Sequence, residues 1–119
     1  MILPEDKARL QALIKRTSHL RKFLECDDKK KKIAELEEEM SAPSFWDDQD
    51  KARKVGSENN RLKQTVSKVE DFRTEVGDLE ALCELCEEDQ EDEEMAKEFT
   101  TTLESLLAKV DDLEVASFL

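Results

Sequence analysis

The chain has 119 residues, a mass of 13.8 kDa and a net charge of −12, with 42% charged residues and only two glycines and two prolines. This length allows one domain, or a piece of a larger protein. Apolar and polar residues never alternate over a strand length, so we exclude a sheet and expect a few long helices. No apolar run approaches the ~20 residues of a membrane span, and no signal peptide is recognisable. We expect a soluble, cytoplasmic, all-α protein.

The charge is unevenly distributed along the chain. Residues 1–32 contain ten basic and five acidic residues, whereas residues 33–119 contain nine basic and 26 acidic residues. Such an acidic surface repels phosphate, so we expect no tight nucleic-acid binding by this domain alone. The simpler interpretation of this acidic surface is that it only solvates the helices. The functional interpretation is that it contacts a basic protein. The basic run 29–32 could touch RNA, although a solvated lysine run is the simpler interpretation.

The first two predicted helices span about residues 5–24 and 28–41. The first has apolar residues on one broad face, and the second has Ile33, Leu36 and Met40 at helical spacing. The apolar phase slips between Leu24 and Ile33, which favours a kink. Four lysines would oppose the dipole at a new helix start, so one continuous bent helix is also possible.

The third and fourth predicted helices span about residues 48–86 and 92–116. Apolar residues recur at threes and fours in both, so we predict a long antiparallel, coiled-coil-like hairpin. Gly56 and Gly77 each cost the third helix about 1 kcal/mol relative to alanine. Close approach of a neighbouring helix, or a slight bend, would explain them. The fold class is therefore an elongated three- to four-helix bundle in a single domain, residues 1–119.

Two corners interrupt these helices. The first is SAPSFWDDQD, residues 41–50, in which Pro43, Phe45, Trp46 and Asp47 form a structural corner. We predict that Phe45 and Trp46 close the end of the bundle and that Asp47 or Asp48 caps the third helix. The second corner is EEDQED, residues 87–92, within the most acidic part of the chain.

The residues that could support chemistry are few. Cys83 and Cys86 have the CxxC spacing of metal or redox sites, but a structural zinc site needs four ligands, and only Cys26 and His19 could join them. Both cysteines also fall on the apolar seam of the third helix, where core packing is the simpler interpretation. His19 is expected at the surface. No phosphate-binding loop, nucleophile elbow or Cys/His dyad is present, so we expect no catalytic residue, no cofactor and no metal.

The order of motifs resembles the start of bacterial peptide-chain release factors of the release factor 2 type. These motifs are a Leu-Arg pair, an Asp-x-Lys-Lys segment, a Glu- and Leu-rich helix, a Pro-x-x-Trp corner followed by acid, and a helix opening with Lys-Ala. Here they are Leu20-Arg21, Asp27 to Lys30, Ala34 to Glu37, Pro43 to Asp47, and Lys51-Ala52. The likeness spans nearly the whole chain, and the Trp corner with its flanks is its most specific part.

The resemblance implies a helical N-terminal domain of a translation termination factor. In that family a Ser-Pro-Phe tripeptide reads UGA and UAA stop codons, and a Gly-Gly-Gln loop promotes peptidyl-tRNA hydrolysis. This sequence contains neither, and its apolar ending VASFL suggests a truncated chain. The resemblance further implies contact with the stalk base of the large ribosomal subunit and interplay with the GTPase that recycles release factors. The residues we expect at the stalk-base contact are Glu87, Glu88, Asp89, Glu91 and Asp92.

Two other functions fit parts of the sequence. A free-standing acidic coiled-coil adaptor or scaffold would need its apolar seam to continue onto the outer helix faces, which are strongly charged here. A zinc or redox module built on Cys26, Cys83 and Cys86 would contain stoichiometric metal, or a redox-active pair.

Overall fold

A computed structural model describes residues 1–119, which form four α-helices and one short 3-10 helix. Helix α1 spans Pro4–Phe23, α2 spans Cys26–Met40, the 3-10 helix spans Pro43–Asp47, α3 spans Gln49–Glu88 and α4 spans Glu93–Ser117. There is no strand, so the predicted all-α class is confirmed. None of the helices has the combination of length and apolar character that crossing a bilayer requires.

The chain divides into two compact units. We call residues 1–20 together with 71–119 the bundle unit, and residues 21–70 the hairpin unit. The bundle unit takes most of α1, the second part of α3 and all of α4. The hairpin unit takes α2, the 3-10 helix and the first part of α3.

Three helices enclose the core of the bundle unit. Its buried side chains recur at threes and fours on each helix, as amphipathic helices require, and the largest are phenylalanines and leucines. The predicted seam is therefore the observed core. The core residues are Leu10, Leu13, Phe72, Val76, Leu79, Cys83, Cys86, Phe99, Leu103, Leu106 and Val110.

Ion pairs fix the helix directions within the bundle unit. Arg9 pairs with Glu104 at 2.6 Å, and Arg16 pairs with Asp111, so a step of seven residues on α1 matches a step of seven on α4. These two helices therefore run parallel. The second part of α3 runs antiparallel to α4, to which it is joined by the short loop 89–92, as the predicted hairpin requires.

The hairpin unit is an antiparallel pair of helices with a thinner core. Lys63 pairs with Glu37, and Lys30 lies 3.5 Å from Glu70, so residue numbers rise on one helix as they fall on the other. Seven residues of this unit are buried, one of which is polar. They are Cys26, Leu36, Phe45, Ala52, Asn59, Val66 and Val69.

Helices α1 and α2 are separate, because the chain turns at Glu25. This residue has φ 53° and ψ 47°, in the left-handed region that costs a non-glycine residue about 1–2 kcal/mol. Lys29 Nζ donates a hydrogen bond to the Leu24 carbonyl, and Arg21 binds Asp27 at 2.6 Å, so both sides of the turn are held. Helix α2 begins at Cys26, which puts Asp27 and Asp28, not the lysines, in its first turn.

The two glycines of α3 lie in open surroundings. A Cβ atom built on Gly56 or Gly77 meets nothing within 4 Å. Our suggestion that a neighbouring helix approaches closely at these points is therefore wrong. Neither residue has a positive φ, so the backbone does not require glycine at either place.

Candidate functional site

The loop between α3 and α4, with the helix ends beside it, is the first candidate site. Helix α3 ends at Glu88, and Asp92 caps α4 by accepting a hydrogen bond from the Met95 N–H at 2.9 Å. Asp92 is thus used by the fold, as acidic and polar residues commonly are at helix starts.

Glu87 is also engaged within the bundle unit. Its Oε1 lies 2.9 Å from Lys7 Nζ and accepts a weak hydrogen bond from Cys83 Sγ at 3.5 Å. The hydrogen bond from Lys7, with that from Cys83, lowers the pKa of the Glu87 carboxyl below its usual value. Of the five predicted contact residues, two therefore have structural roles.

The other three residues are exposed and have no ion pair. Glu88, Asp89 and Glu91 project into solvent, and no structural contact accounts for their side-chain charges. Glu88 also lies in the last turn of α3, where no basic residue is present. A negative charge there opposes the helix dipole and typically costs 0.3–1 kcal/mol. A local rule broken without structural benefit is typical of a binding surface.

The corner at residues 43–47 is the second predicted site, and it differs from the prediction in one respect. The Phe45 side chain is buried in the hairpin unit, whereas Trp46 is 61% exposed. Their rings meet edge to face, with centroids 5.0 Å apart and planes at 89°. Phe45 alone plugs the corner, and the prediction that Trp46 does so as well is wrong.

Of the two acidic residues at this corner, Asp48 has a structural role and Asp47 does not. Asp48 Oδ1 accepts a hydrogen bond from the Lys51 N–H at 3.1 Å and so caps α3. Asp47 ends the 3-10 helix and is exposed. Pro43 begins the 3-10 helix, where its missing N–H costs no hydrogen bond.

The cysteines are core residues. All three are free and at most 4% exposed, as the seam position of Cys83 and Cys86 predicted. Burial raises the pKa of the Cys83 thiol to about 11, assisted by the carboxylate of Glu87. Burial also raises the pKa of Cys26 and Cys86. All three are therefore thiols at neutral pH and poor nucleophiles.

Comparison with known proteins identifies the family. The PCRF domain model matches residues 29–119. The chain is 38% identical to peptide chain release factor 2 of an Exiguobacterium species over 97% of its length, and 34% identical to that of Clostridium perfringens over its whole length. A third relative, peptide chain release factor 2 of Corynebacterium glutamicum, is 34% identical over 98% of the chain.

The relatives are much longer than this chain. The chain spans 31% of the Exiguobacterium protein and 32% of the Clostridium protein. The resemblance to release factor 2 that the motif order indicated is confirmed, because the matched relatives are peptide chain release factor 2 proteins. The chain belongs to the peptide chain release factor family and contains its PCRF domain.

Proposed function

We propose that this chain is the N-terminal, non-catalytic domain of a bacterial-type, cytoplasmic translation termination factor, and that it docks on the stalk base of the large ribosomal subunit. Membership of the release factor family supports the role in translation termination. The docking on the stalk base is supported by three unpaired acidic residues, Glu88, Asp89 and Glu91. Codon reading at UGA and UAA and peptidyl-tRNA hydrolysis belong, in this proposal, to other parts of the full-length factor.

The charge distribution favours a basic protein as the partner at this loop. The bundle unit contains seven basic and 19 acidic residues, which accounts for the whole net charge of −12. A field of this sign repels bare rRNA and attracts a lysine- and arginine-rich ribosomal protein, and it speeds association more than it strengthens binding. The recycling GTPase would act on the same factor once it is bound.

Charge reversal in the full-length factor tests the contact. We expect Glu88→Lys, Asp89→Lys and Glu91→Lys together to weaken ribosome binding about tenfold and to make the association rate less dependent on salt. Binding would be measured by stopped-flow association with a labelled factor, and peptide release would be followed in parallel. Because the three side chains have no structural partner, the thermal midpoint should stay the same or rise.

A matched variant controls for net charge. Glu35→Lys, Glu38→Lys and Asp112→Lys reverse three exposed carboxylates that also form no ion pair and are not part of residues 87–92. Equal loss of binding in both triple variants would show that only net charge matters. Unchanged binding in the loop variant would contradict the proposed contact.

A further inference from the structure

A second surface of the molecule lies in the hairpin unit and contains an exposed aromatic ring and unpaired basic side chains. It is centred on Trp46, whose indole is 61% exposed while its neighbour Phe45 is buried beneath it. The Phe45 ring meets the indole edge to face, a geometry that aromatic pairs favour. Much of the large indole is thus left in contact with solvent, where it gains nothing from burial.

A concavity of about 540 Å³ lies beside the indole. Besides Trp46, it is lined by the small residues Ala52, Gly56 and Ser57 and by longer polar residues at helical spacing on α3. Gly56 adds no side chain to this space, although the backbone itself does not require glycine there. The longer polar residues are Arg53, Asn60, Arg61 and Gln64.

The arginines of this concavity differ from others in the chain. Arg9, Arg16 and Arg21 each bind two carboxylates. Arg53 and Arg61 form no ion pair, although 31 acidic residues are present in the chain. Lys54 lines the adjacent surface with Arg53, Arg61 and one carboxylate, Glu58, and is unpaired as well, so the cations there outnumber the carboxylate. These charges remain available for an anionic partner.

We propose that this surface binds single-stranded RNA, with one unpaired base stacked on Trp46 and the flanking phosphates bound by Arg53 and Arg61. An aromatic platform beside a basic track is the arrangement by which proteins bind single strands. The amides of Asn60 and Gln64 can donate and accept hydrogen bonds at a base edge or a 2′-hydroxyl. The inference rests on the hairpin unit alone and does not depend on the acidic-loop contact.

The net charge of the chain does not oppose this proposal. The hairpin unit contains twelve basic and twelve acidic residues, so the acidic excess belongs to the bundle unit. An acidic peptide would satisfy the arginines but would leave the indole face unused, whereas a nucleotide uses both. We expect a Kd of roughly 10–100 μM at low salt, within the range of weak electrostatic binding to nucleic acid.

Titration of the 119-residue chain with octa-adenylate RNA is the test. Trp46 is the only tryptophan and the chain has no tyrosine, so its fluorescence reports on this surface alone. We expect saturable quenching in 50 mM salt, and weakening of binding by about three- to tenfold in 200 mM salt. Octaglutamate and inorganic polyphosphate serve as probes for a purely anionic partner and should not quench the indole.

Substitutions assign the binding to the named residues. Arg53→Gln, Arg61→Gln and Trp46→Ala should each weaken binding of labelled octa-adenylate at least fivefold, as measured by fluorescence anisotropy. Lys15→Gln removes an exposed, unpaired charge from the bundle unit and should change binding less than twofold. Circular dichroism melting would confirm that each variant is folded.

A fourth variant separates binding from stability. Gly56→Leu fills the concavity while favouring the helix, so it should raise the thermal midpoint and still weaken RNA binding at least fivefold. Absence of quenching up to 1 mM octa-adenylate would overturn the proposal, and so would binding that survives these substitutions. Equal affinity for octaglutamate or polyphosphate would also overturn it, because the base would then contribute nothing.

Discussion

The bundle unit and the hairpin unit differ in the size of their cores and in their net charge. In the bundle unit 15 of 69 residues are buried, whereas in the hairpin unit seven of 50 are. The bundle unit carries the full net charge of −12, while the hairpin unit is neutral. We infer that the larger apolar core offsets the charge repulsion in the bundle unit, since apolar burial contributes most of the stability.

Buried polar groups show the same contrast. In the bundle unit, Asp6 accepts a hydrogen bond from Arg9 at 3.0 Å, and the Thr17 hydroxyl donates to the Leu13 carbonyl at 2.7 Å. In the hairpin unit the Oδ1 of Asn59 is buried without any partner. The unit with the smaller core thus also contains the unsatisfied polar atom, and we expect it to be the less stable of the two.

The largest effect is expected from truncation of the bundle core. Phe99 is fully buried, and Phe99→Ala should lower the free energy of unfolding by about 3–5 kcal/mol through lost burial and the cavity left behind. Hydrogen exchange followed by mass spectrometry should show the loss of amide protection along α4.

Leu36→Ala in the hairpin unit is the matched comparison. Leu36 is 4% exposed, and its truncation should cost about 2–3 kcal/mol, with the loss of protection confined to residues 26–66. If either substitution lowered protection equally in both units, the chain would unfold as one cooperative body and the contrast in stability would be wrong.

Replacing the unsatisfied asparagine should reduce the difference between the units. Asn59→Leu removes a buried amide whose Oδ1 has no partner, at the loss of the contact of Nδ2 with the Met40 sulfur at 3.8 Å and of a hydrogen bond to Glu37. We expect the free energy of unfolding to increase by about 1 kcal/mol, measured by urea denaturation. Asn60→Leu changes the exposed neighbour and should have little effect on the free energy of unfolding. Similar increases in both variants would show that the unsatisfied Asn59 amide is not what destabilises the unit.

A glycine substitution tests the bundle unit at a position without packing constraints. Gly77→Ala adds a methyl group that meets nothing within 4 Å, so its effect should come from helix propensity alone. We expect an increase of about 0.5–1 kcal/mol in the free energy of unfolding, seen as a higher thermal midpoint. A decrease would show that the helix needs the flexibility of glycine there.

The smallest effect concerns the ion pairs of the hairpin unit. Burial alone would raise the pKa of Glu70, but the hydrogen bond and charge of Arg21 lower it below its usual 4.5. Its contribution to stability is therefore present above pH 4.5 and lost as the pH falls through the lowered value. Glu70→Gln should cost about 0.5–1 kcal/mol at pH 7 and less at pH 3.

Thermal melting of the Glu70→Gln variant and the wild type at both pH values would measure this change. Glu80→Gln in the bundle unit alters an exposed carboxylate without an ion pair and serves as the control. A stability difference that did not shrink at pH 3 would show that the Glu70 charge is not what stabilises the unit.

The helix pattern was predictable because it depends on spacing alone. Met95, Phe99, Leu103 and Leu106 recur at intervals of four and three, and this pattern has no competing interpretation as a strand. The turn at Glu25 was not predictable in detail, because a left-handed glutamate is favoured by its neighbours and not by its own propensity. The phase slip at residues 24–33 indicated only that a break was near.

Trp46 shows why the candidate sites were harder to predict than the fold. Its size and apolar character favour burial, but the tight 3-10 turn directs only one of two adjacent aromatic rings inward, and that ring is Phe45. In the same way, the acidic segment 87–92 gave no sign that Glu87 would be held by Lys7, whereas the Asp92 cap on the Met95 N–H is a local contact. Contacts between segments distant in sequence determine which charges stay free.

The parallel pairing of α1 with α4 has a consequence for the order of folding during synthesis. Lys7 can meet Glu87 of α3 earlier, but Arg9 and Arg16 find their partners only when residues 104–114 have left the ribosome, whereas the hairpin unit is complete once residue 70 has emerged. At typical elongation rates of ~5–20 residues per second, the first helix waits roughly 5–20 s for its final neighbour. The hairpin unit can therefore form first, with its own ion pairs in place, while the N-terminal helix is still without its core.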